Sequence, residues 1–242
     1  MRRLALLGFL LAVAAAGQEP GAPAAGALPV QEPPPRTEYQ GRRIARTMHW
    51  SGAPWLLRAT REDEEQTSLL YRALAVQPGW TVADVGCGAG YHVPELARRA
   101  GPGGRVFAVD IQEEMLARMQ ERVAEAGLRN VVSVRNRPWD AGLPEASCDL
   151  ILLVDVYHEF SHPERMLRSL RRALASGGVL VLVEFRAEDP EVPIQALHKM
   201  SAEQCRRELE ANGFRLIRAF EGLPWQHCLF FSAAPGRSGA GS

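Results

Sequence analysis

The amino-acid sequence predicts an α/β fold in which a doubly wound, mostly parallel sheet of seven strands carries helices on both faces. Short apolar runs, typical of buried strands, alternate with segments whose apolar residues recur at helical spacing. One such strand, Thr81 to Val85, runs through a glycine-rich turn directly into an amphipathic helix. With 46% hydrophobic residues among 242, the chain can bury one sizeable core. We therefore expect a single folded domain over residues 37–231.

The first half of this domain is predicted from three elements. Glu62 to Leu74 indicates a helix whose acidic first turn suits the positive end of the helix dipole. The turn Gln77-Pro78-Gly79 then leads into the strand Thr81 to Val85. The helix after the glycines places four apolar residues on one face: Val93, Leu96, Ala97 and Ala100. That face is expected to pack on the sheet.

Six further apolar runs complete the predicted sheet. They are Arg105–Val109, Asn130–Val134, Leu150–Val154, Val179–Glu184, Phe214–Phe220 and His227–Phe231. Three helices are predicted between them: Glu113–Ala126, a helix that Pro163 opens, and Ser201–Asn212. Because strands alternate with helices, right-handed crossovers follow, and ligands are expected beyond the carboxyl ends of the strands.

The turn Gly86-Cys87-Gly88-Ala89-Gly90 indicates a ligand-binding loop, since glycines let a ligand approach the main chain closely. Its spacing differs from the G-x-G-x-x-G dinucleotide fingerprint, and Asp84 just before it suits a cationic group better than a pyrophosphate. Asp110 ends the next strand, at an offset where an acid typically accepts hydrogen bonds from ribose hydroxyls. A ligand with a ribose, an amino group and a carboxylate but no phosphate fits S-adenosylmethionine (SAM). The alternative is a turn that only packs helix against strand.

Four stretches carry a resemblance to a known family: VADVGCGAG from Val82, GRVFAVDIQEEML from Gly104, LPEASCDLILLVDVYHEF from Leu143 and LASGGVLVLVEF from Leu174. Over Arg58 to Phe231 the chain resembles the class I SAM-dependent methyltransferases. It is most similar to the small-molecule branch with the ubiquinone/menaquinone C-methyltransferases and the arsenite methyltransferases. The resemblance implies a Rossmann-like fold ending in an antiparallel hairpin, with SAM as cofactor. The SAM-binding residues that it implies are Asp84, Gly86, Cys87, Gly88, Gly90, Asp110, Ile111, Asn136 and Asp155.

The sequence leaves two assignments in the site undecided. In the family, an Asp or Asn after the third strand caps the adenine amino group, and here Asn136 and Asp140 compete, with Trp139 able to stack on the base. Family members also often fold the segment before the first strand over the SAM pocket. Trp50 and Trp55 therefore either line a substrate lid or anchor that segment to the core.

Candidate catalytic residues follow the fourth strand, where the transferred methyl group is expected. Tyr157 and His158 are the catalytic candidates, because each can accept a proton. Glu159 in the same loop and His198 after the fifth strand are further candidates. The alternative for each is a structural residue that is only hydrogen-bonded on its loop.

The stretch His158-Glu159-Phe160-Ser161-His162 also matches the H-E-x-x-H motif of zinc metalloproteases. That chemistry needs both histidines one turn apart on a single helix. Here a strand-like run precedes the motif and Pro163 follows it directly, and proline disfavours helical geometry in the residue before it. We therefore expect no metal at this motif, and a metalloprotease is the disfavoured alternative.

Both ends of the chain lie outside the predicted domain. Arg2 and Arg3, the apolar run Leu4 to Ala16 and its small final residues are typical of a secretory signal peptide over residues 1–16. Residues 17–36 indicate a Pro/Ala/Gly-rich disordered linker, and residues 232–242 a disordered tail. The sequence thus predicts a secreted or periplasmic protein, or a cytoplasmic one if the N-terminus is not processed.

Charge and cysteine usage limit the remaining functions. Lys+Arg and Asp+Glu both number 28, so no overall field favours a nucleic-acid partner. Cys87, Cys148, Cys205 and Cys228 lack metal-ligand spacing and indicate four separate buried thiols. Cys148 begins a predicted strand and Cys205 lies within a predicted helix, which disfavours an arsenite site. We expect a SAM-dependent methyltransferase acting on a small-molecule acceptor, with no stable membrane span after cleavage. The alternative is a SAM-binding accessory protein that does not methylate.

Overall fold

A computed structural model gives the structure of the chain and describes residues 32–234. In this part of the chain, the central sheet has eight strands in the order β5-β4-β3-β6-β7-β10-β9, and β8 pairs with β7. Strands β3 to β7 pair in parallel, whereas β10 runs antiparallel to both β7 and β9. The strands are β3 (Thr81–Val85), β4 (Arg105–Asp110), β5 (Val131–Arg135), β6 (Cys148–Val154), β7 (Leu174–Arg186), β8 (Lys199–Met200), β9 (Phe214–Phe220) and β10 (Gln226–Ala233). A separate hairpin joins β1 (Glu38–Tyr39) to β2 (Arg42–Arg43).

Helices cover both faces of the sheet, as the sequence predicts. They are α1 (Ala53–Leu56), α2 (Arg61–Glu65), α3 (Thr67–Leu74), α4 (Val93–Ala100), α5 (Glu113–Glu125), α6 (Pro163–Ala173) and α7 (Ala202–Ala211). Along β6, Ile151 and Leu153 enter one core cluster with residues of α6 and α7, while Leu150 and Leu152 enter another with α3, α4 and α5. The alternation follows from the strand period of two, so the expected doubly wound architecture is confirmed.

One predicted helix is divided in two. The expectation of a continuous helix over Glu62 to Leu74 is wrong, because Gln66 adopts a left-handed conformation with φ 49° between α2 and α3. The Glu62 carboxylate turns back and accepts a hydrogen bond from the backbone N–H of Ser68 at 3.2 Å. It also accepts one from the hydroxyl of Thr67. An acidic side chain in the first turn of α2 can thus cap the start of α3, instead of indicating one longer helix.

The domain begins slightly earlier and ends slightly later than the sequence indicates. The backbone N–H of Arg36 donates to the carbonyl of Ser161 at 2.9 Å, and its guanidinium pairs with Glu164 at 2.8 Å. Strand β10 reaches Ala233, so the first residues of the predicted tail belong to the sheet. The predicted signal peptide and residues 17–31 of the predicted linker lie outside the described residues. Within residues 32–234, no helix is long and apolar enough to cross a membrane.

Candidate functional site

A cleft of about 570 Å³ opens at the carboxyl ends of the parallel strands, where the topology predicts a ligand site. Its walls come from the glycine turn, from the ends of β4, β6 and β7, and from the segment that precedes β3. This size falls within the ~300–1,000 Å³ typical of small-molecule sites. Of the implied SAM-binding residues, eight line the cleft: Asp84, Gly86, Cys87, Gly88, Asp110, Ile111, Asn136 and Asp155.

The glycine turn shapes the cleft at its first two glycines. Gly86 has φ 75°, and a Cβ there would lie 2.3 Å from Val156 Cγ2, so a larger residue cannot follow β3 in this position. Gly90 instead faces α5, where a Cβ would lie 2.6 Å from Met119 Cγ. Its assignment to the cofactor is therefore corrected, because it allows helices α4 and α5 to approach each other outside the cleft.

Asp84 is a buried carboxylate at the floor of the cleft. Only 1% of Asp84 is exposed, and among the described residues its Oδ2 atom has no hydrogen-bond partner. Burial raises the pKa of Asp84 to about 7; the nearby Arg61 guanidinium opposes this shift and Asp110 adds to it. Such an oxygen is costly to bury unless a cation or a donor meets it. The site is thus suited to a ligand with a positively charged group.

Arg61 supplies a positive charge to the same cleft, and the sequence analysis missed it. Its guanidinium pairs with Glu65 at 2.9 Å, donates to the carbonyl of Leu56 at 3.0 Å and stacks over the ring of Tyr91. These contacts hold one cation beside Asp84. Arg61 lies in a helix that precedes the sheet by twenty residues, so only the tertiary fold brings it to the glycine turn.

Asp110 connects the end of β4 to the glycine turn. Its Oδ2 accepts the backbone N–H of Gly88 at 2.9 Å, and its Oδ1 accepts that of Gln112 at 2.9 Å. Burial raises the pKa of Asp110, and these two N–H groups oppose the shift. Each oxygen keeps further acceptor capacity, so the carboxylate can also take hydrogen bonds from a ligand's hydroxyls. Ile111 continues the same wall.

The structure separates the two candidates for the adenine cap. Asn136 lines the cleft next to Pro138, whereas Asp140 turns to α6 and accepts a hydrogen bond from the Ser169 hydroxyl at 2.7 Å. Trp139 is partly buried, packs edge-on against His162 with ring centroids 5.7 Å apart, and does not line the cleft. Of the two candidates, Asn136 is therefore the one that a ligand in the cleft can reach.

Asp155 begins the loop after β6 in an unusual backbone conformation. Its φ of 50° is left-handed, which is costly for a residue with a side chain and is found mostly at functional sites. Its Oδ2 accepts from Gln226 at 2.9 Å, while within the described chain its Oδ1 lacks a partner. Burial raises the pKa of Asp155 well above its usual range, and the Glu65 and Glu184 carboxylates add to this.

Tyr157 does not belong to the cleft, so its assignment as a catalytic candidate is corrected. The side chain is fully buried, and its hydroxyl donates to the Glu208 carboxylate at 2.7 Å. Glu208 also accepts hydrogen bonds from Nε and Nη2 of Arg42, at 2.7 and 3.1 Å. Burial raises the pKa of Tyr157 well above its usual range, and Glu208 adds to this. Its role is to join the N-terminal hairpin, the β6 loop and α7.

His158 does face the cleft, and a buried carboxylate holds its ring. Glu184, at the end of β7, lies with Oε2 2.6 Å from His158 Nδ1, and its Oε1 accepts the His158 backbone N–H at 3.2 Å. The other ring nitrogen, Nε2, lies 3.0 Å from Nδ1 of His198. Burial opposes protonation of His158, but Glu184 outweighs it and raises the pKa of His158. Sequence reasoning missed Glu184, although its place at a strand end could have suggested it.

The remaining candidates of this loop have separate surroundings. Glu159 lines the cleft and accepts the Met48 backbone N–H at 3.1 Å; burial raises the pKa of Glu159 to about 7. His198 lines the cleft as well, and burial lowers its pKa. His162 turns away to the Ser161 hydroxyl at 2.9 Å. A short 3₁₀ turn over Tyr157–Glu159 and an extended Phe160 divide the H-E-x-x-H stretch, so its histidines do not share a helix.

The two tryptophans before the sheet have different roles, and each interpretation of the sequence describes one of them. Trp55 lines the cleft, is 41% exposed, and stacks against Arg58 at 4.1 Å. Trp50 packs with Ala53 and Met115, and its backbone N–H donates to the Gln112 side chain at 2.8 Å. The segment is thus anchored at Trp50 and forms the cleft wall at Trp55.

All four cysteines are buried free thiols, as predicted. Cys87 lines the cleft, whereas Cys148, Cys205 and Cys228 lie in the core clusters. A site built on several converging thiolates is therefore not formed within the described residues.

Comparisons with known proteins agree with this geometry. Residues 77–222 match a family model described as "Methyltransferase domain". The chain is 32% identical over 111 residues to the ubiquinone/menaquinone biosynthesis C-methyltransferase UbiE of Ralstonia pickettii (strain 12J), covering 46% of this chain and 45% of that protein. It is 30% identical over 122 residues to a demethylmenaquinone methyltransferase of Listeria monocytogenes serotype 4a, covering 50% and 51%. The chain thus spans about half the length of the curated relatives it matches.

A solved structure extends the similarity to most of the described domain. It is a SAM-dependent methyltransferase from Aquifex aeolicus, 26% identical, with a TM-score of 0.73 over 78% of this chain and 100% of that one. This agreement supports the Rossmann-like α/β fold of the chain.

Proposed function

Because this chain belongs to the family of class I SAM-dependent methyltransferases, we propose that it transfers the methyl group of SAM to a small-molecule acceptor bound in the cleft. The observation that carries the proposal is the partnerless Oδ2 of Asp84, buried beside the glycine turn among the described residues. An amino group of the ligand satisfies that oxygen and restores the charge that burial disfavours.

Four residues fit the parts of SAM. Asp84 receives the amino group of its methionine part, and Arg61 suits the adjoining carboxylate. Asp110 accepts the ribose hydroxyls with the lone pairs that Gly88 and Gln112 leave free. Asn136 reaches the adenine edge. The Asp84 carboxylate is thus matched to the cationic amino group and the Arg61 guanidinium to the anionic carboxylate of the ligand.

The protein's part in methyl transfer is to position the acceptor and exclude water. When bound, SAM supplies a methyl group attached to a positively charged sulfur. After transfer of the methyl group, that sulfur becomes a neutral thioether. We place the acceptor at the end of the cleft next to His158 and His198, which we call the acceptor half. Apolar side chains line much of the cleft: Met48, Trp55, Leu56, Phe160, Phe185 and Ile194. Such walls hold a small molecule in one orientation and keep water from competing.

The β6 loop supplies the polar groups of the acceptor half. An acceptor hydroxyl, amine or acidic carbon loses a proton during transfer, and His158 is the catalytic candidate that the fold brings to the cleft. Glu184 fixes its ring so that Nε2 points to His198 and not to the core. We place the reacting atom of the acceptor next to these two rings.

The direct test is to incubate the protein with methyl-labelled SAM and a cell extract and to identify the labelled product. A labelled small molecule supports the proposal. SAM binding without any labelled product would instead support an accessory protein that binds SAM and does not methylate.

SAM binding is tested at Asp110. Replacing Asp110 by Ala removes up to two charge-assisted hydrogen bonds of roughly 1.5–3 kcal/mol each, so calorimetry should show SAM affinity falling at least about tenfold. The matched control is Asp140→Ala, which removes a carboxylate outside the cleft and should leave affinity unchanged. Equal affinity in wild type and Asp110→Ala, with both folded by circular dichroism, would contradict the assignment.

We also propose that the chain is exported. The basic Arg2-Arg3, the apolar run to Ala16 and the Pro-rich segment after it support cleavage near Gly17. Mass spectrometry of the native protein checks this. An intact Met1 peptide in cytoplasmic material would contradict it.

A further inference from the structure

Three metal-ligating side chains converge in the acceptor half of the cleft. One ligand atom from each of His158, Glu159 and His198 lies within 4.8 Å of the other two. All three side chains line the cleft. Two imidazoles and one carboxylate are a ligand set that zinc and related first-row ions accept, with further positions left open. We propose that His158, Glu159 and His198 bind a divalent cation of this class.

The spacing of the ligand atoms suits such an ion. Two ligands about 2.1 Å from a tetrahedral ion lie about 3.4 Å apart. His158 Nε2 is 3.0 Å from His198 Nδ1 and 4.0 Å from Glu159 Oε1, so the two distances lie on either side of that value. Small side-chain shifts therefore bring the three atoms around one ion.

The orientation of His158 is also that of a metal ligand. A metal-bound histidine usually donates its other ring N–H to a carboxylate, which fixes the tautomer and increases the basicity of the ligand nitrogen. Glu184 takes this part with Oε2 2.6 Å from Nδ1, and its second oxygen binds the backbone N–H of the same residue. Glu184 is fully buried, so the ring is held from within the protein and Nε2 faces the cleft.

This site differs from the one that the H-E-x-x-H stretch suggests. That motif would use His158 and His162 with Glu159 as a base, whereas His162 packs against Trp139. The third ligand here is His198, held in place because Lys199 pairs with Phe185 at the end of β7. No sequence motif joins His158 to His198, and the expectation of no metal concerned the H-E-x-x-H stretch, whose two histidines were not expected to share a helix.

The charges around the cluster favour a cation. Glu159 and Glu184 bring carboxylates to this end of the cleft, while the nearby Arg42 is already paired with Glu208. A divalent ion offsets this negative charge. On binding, it replaces the proton shared between the two imidazole rings, which passes to solvent.

The ion also narrows the class of acceptor, a step that depends on the proposed function. The positions that the three side chains leave open would be available to a hydroxyl group of an acceptor bound in the cleft. Coordination lowers the pKa of that hydroxyl, so its proton leaves to water without needing His158 as a base. The acceptor is then a hydroxyl-bearing small molecule.

The experiment titrates untagged, chelator-treated protein with Co²⁺, which stands in for Zn²⁺ and gives a visible spectrum. Wild type should bind one Co²⁺ per chain in competition with Zn²⁺. His198→Ala and Glu159→Gln should bind it at least about tenfold more weakly, since each removes one ligand. His49→Ala, which removes an exposed histidine outside the cluster, should bind like wild type.

SAM affinity of each variant, measured separately, separates this inference from the proposed function. Asp84→Asn should lose SAM affinity and keep Co²⁺. If wild type binds SAM but no Co²⁺, or if His198→Ala and Glu159→Gln bind Co²⁺ as wild type does, the metal site is overturned while the SAM site stands. If Co²⁺ binds as expected but neither wild type nor any variant binds SAM, the proposed function fails and the metal site stands.

Discussion

Asp84 lies near the end of β3, where burial keeps water from solvating its carboxylate. Its pKa of about 7 means that the empty protein holds a proton there at mildly acidic pH. A cationic ligand group favours the ionised form. Ligand binding at this residue is therefore linked to proton release, and the sign of the pH dependence follows from the raised pKa.

We expect SAM affinity to fall as pH is lowered from 8 to 6, because below about pH 7 the ligand must displace a proton from Asp84. Calorimetry at pH 6 in buffers of different ionisation enthalpy should report proton release on binding. Asp84→Asn should bind SAM weakly and with less pH dependence. Proton uptake by wild type at pH 6 would contradict this account.

The same linkage acts on stability. In the unfolded chain Asp84 titrates near pH 4, so between about pH 4 and 7 the folded protein binds the extra proton. Its contribution then favours the folded state at the acidic end and is lost as pH rises through 7. Between pH 5.5 and 8, the free energy of unfolding should therefore decrease less with rising pH in Asp84→Asn than in wild type. Urea titration without SAM measures this.

Tyr157 provides a test of a structural residue next to a functional one. Tyr157→Phe removes one hydrogen bond to Glu208, which keeps its contacts with Arg42 and Gln204. We expect the free energy of unfolding to fall by about 1–2 kcal/mol, with SAM affinity unchanged. The measurements are urea unfolding and calorimetry. A variant of wild-type stability with reduced methyl transfer would restore Tyr157 as a catalytic residue.

The sequence predicts those site residues that are close together in the chain. Asp84, Gly86 and Asp110 were predictable because a strand, a turn and the next strand place them by local geometry alone. Arg61 and Glu184 were not, because their roles depend on contacts with residues far along the chain. Tyr157 was misplaced for a related reason: the sequence of a short loop does not reveal which of its neighbouring side chains faces the ligand.

At the scale of the elements, the glycine turn has two separate functions. Gly86 opens the cleft, and Gly90 brings α4 against α5 at Met119. Gly90→Ala should therefore destabilise the fold by both a left-handed conformation and a steric clash, by about 2–4 kcal/mol. Gly127→Ala is the matched control, since Gly127 also has a positive φ but an added Cβ there would meet no atom within 4 Å. We expect it to cost only about 1 kcal/mol by thermal unfolding.

Several periodic elements were predicted to within one or two residues, whereas β7 begins five residues before its predicted start at Val179 and the shortest elements were not predicted. Helix α4 and strand β3 match their expected starts because apolar periodicity and glycine punctuation agree there. Strand β8 has two residues and no pattern of its own, so only its pairing with β7 defines it. The break at Gln66 depends on the Glu62 side chain, which helix propensity does not describe.

At the scale of the whole molecule, the N-terminal hairpin of β1 and β2 should stabilise the domain through its contact with α7. A chain starting at residue 32 should bind SAM like the full chain. A chain starting at residue 44 loses Arg42 and leaves Glu208 buried without its guanidinium partner, which should cost about 3–5 kcal/mol. Urea unfolding of the two truncated chains checks this. Equal stability would show that the hairpin is dispensable.

The bridge between the hairpin and α7 also has a consequence for timing. Arg42 meets Glu208 across 166 positions, and Tyr39 meets Asn212 across 173. During synthesis Arg42 is made 166 residues before Glu208, an interval of roughly 8–33 s at ~5–20 residues per second. Closing so long a loop adds a further entropic delay. Under the export that we propose, this interval gives an export machinery that requires an unfolded substrate time to act on the nascent chain.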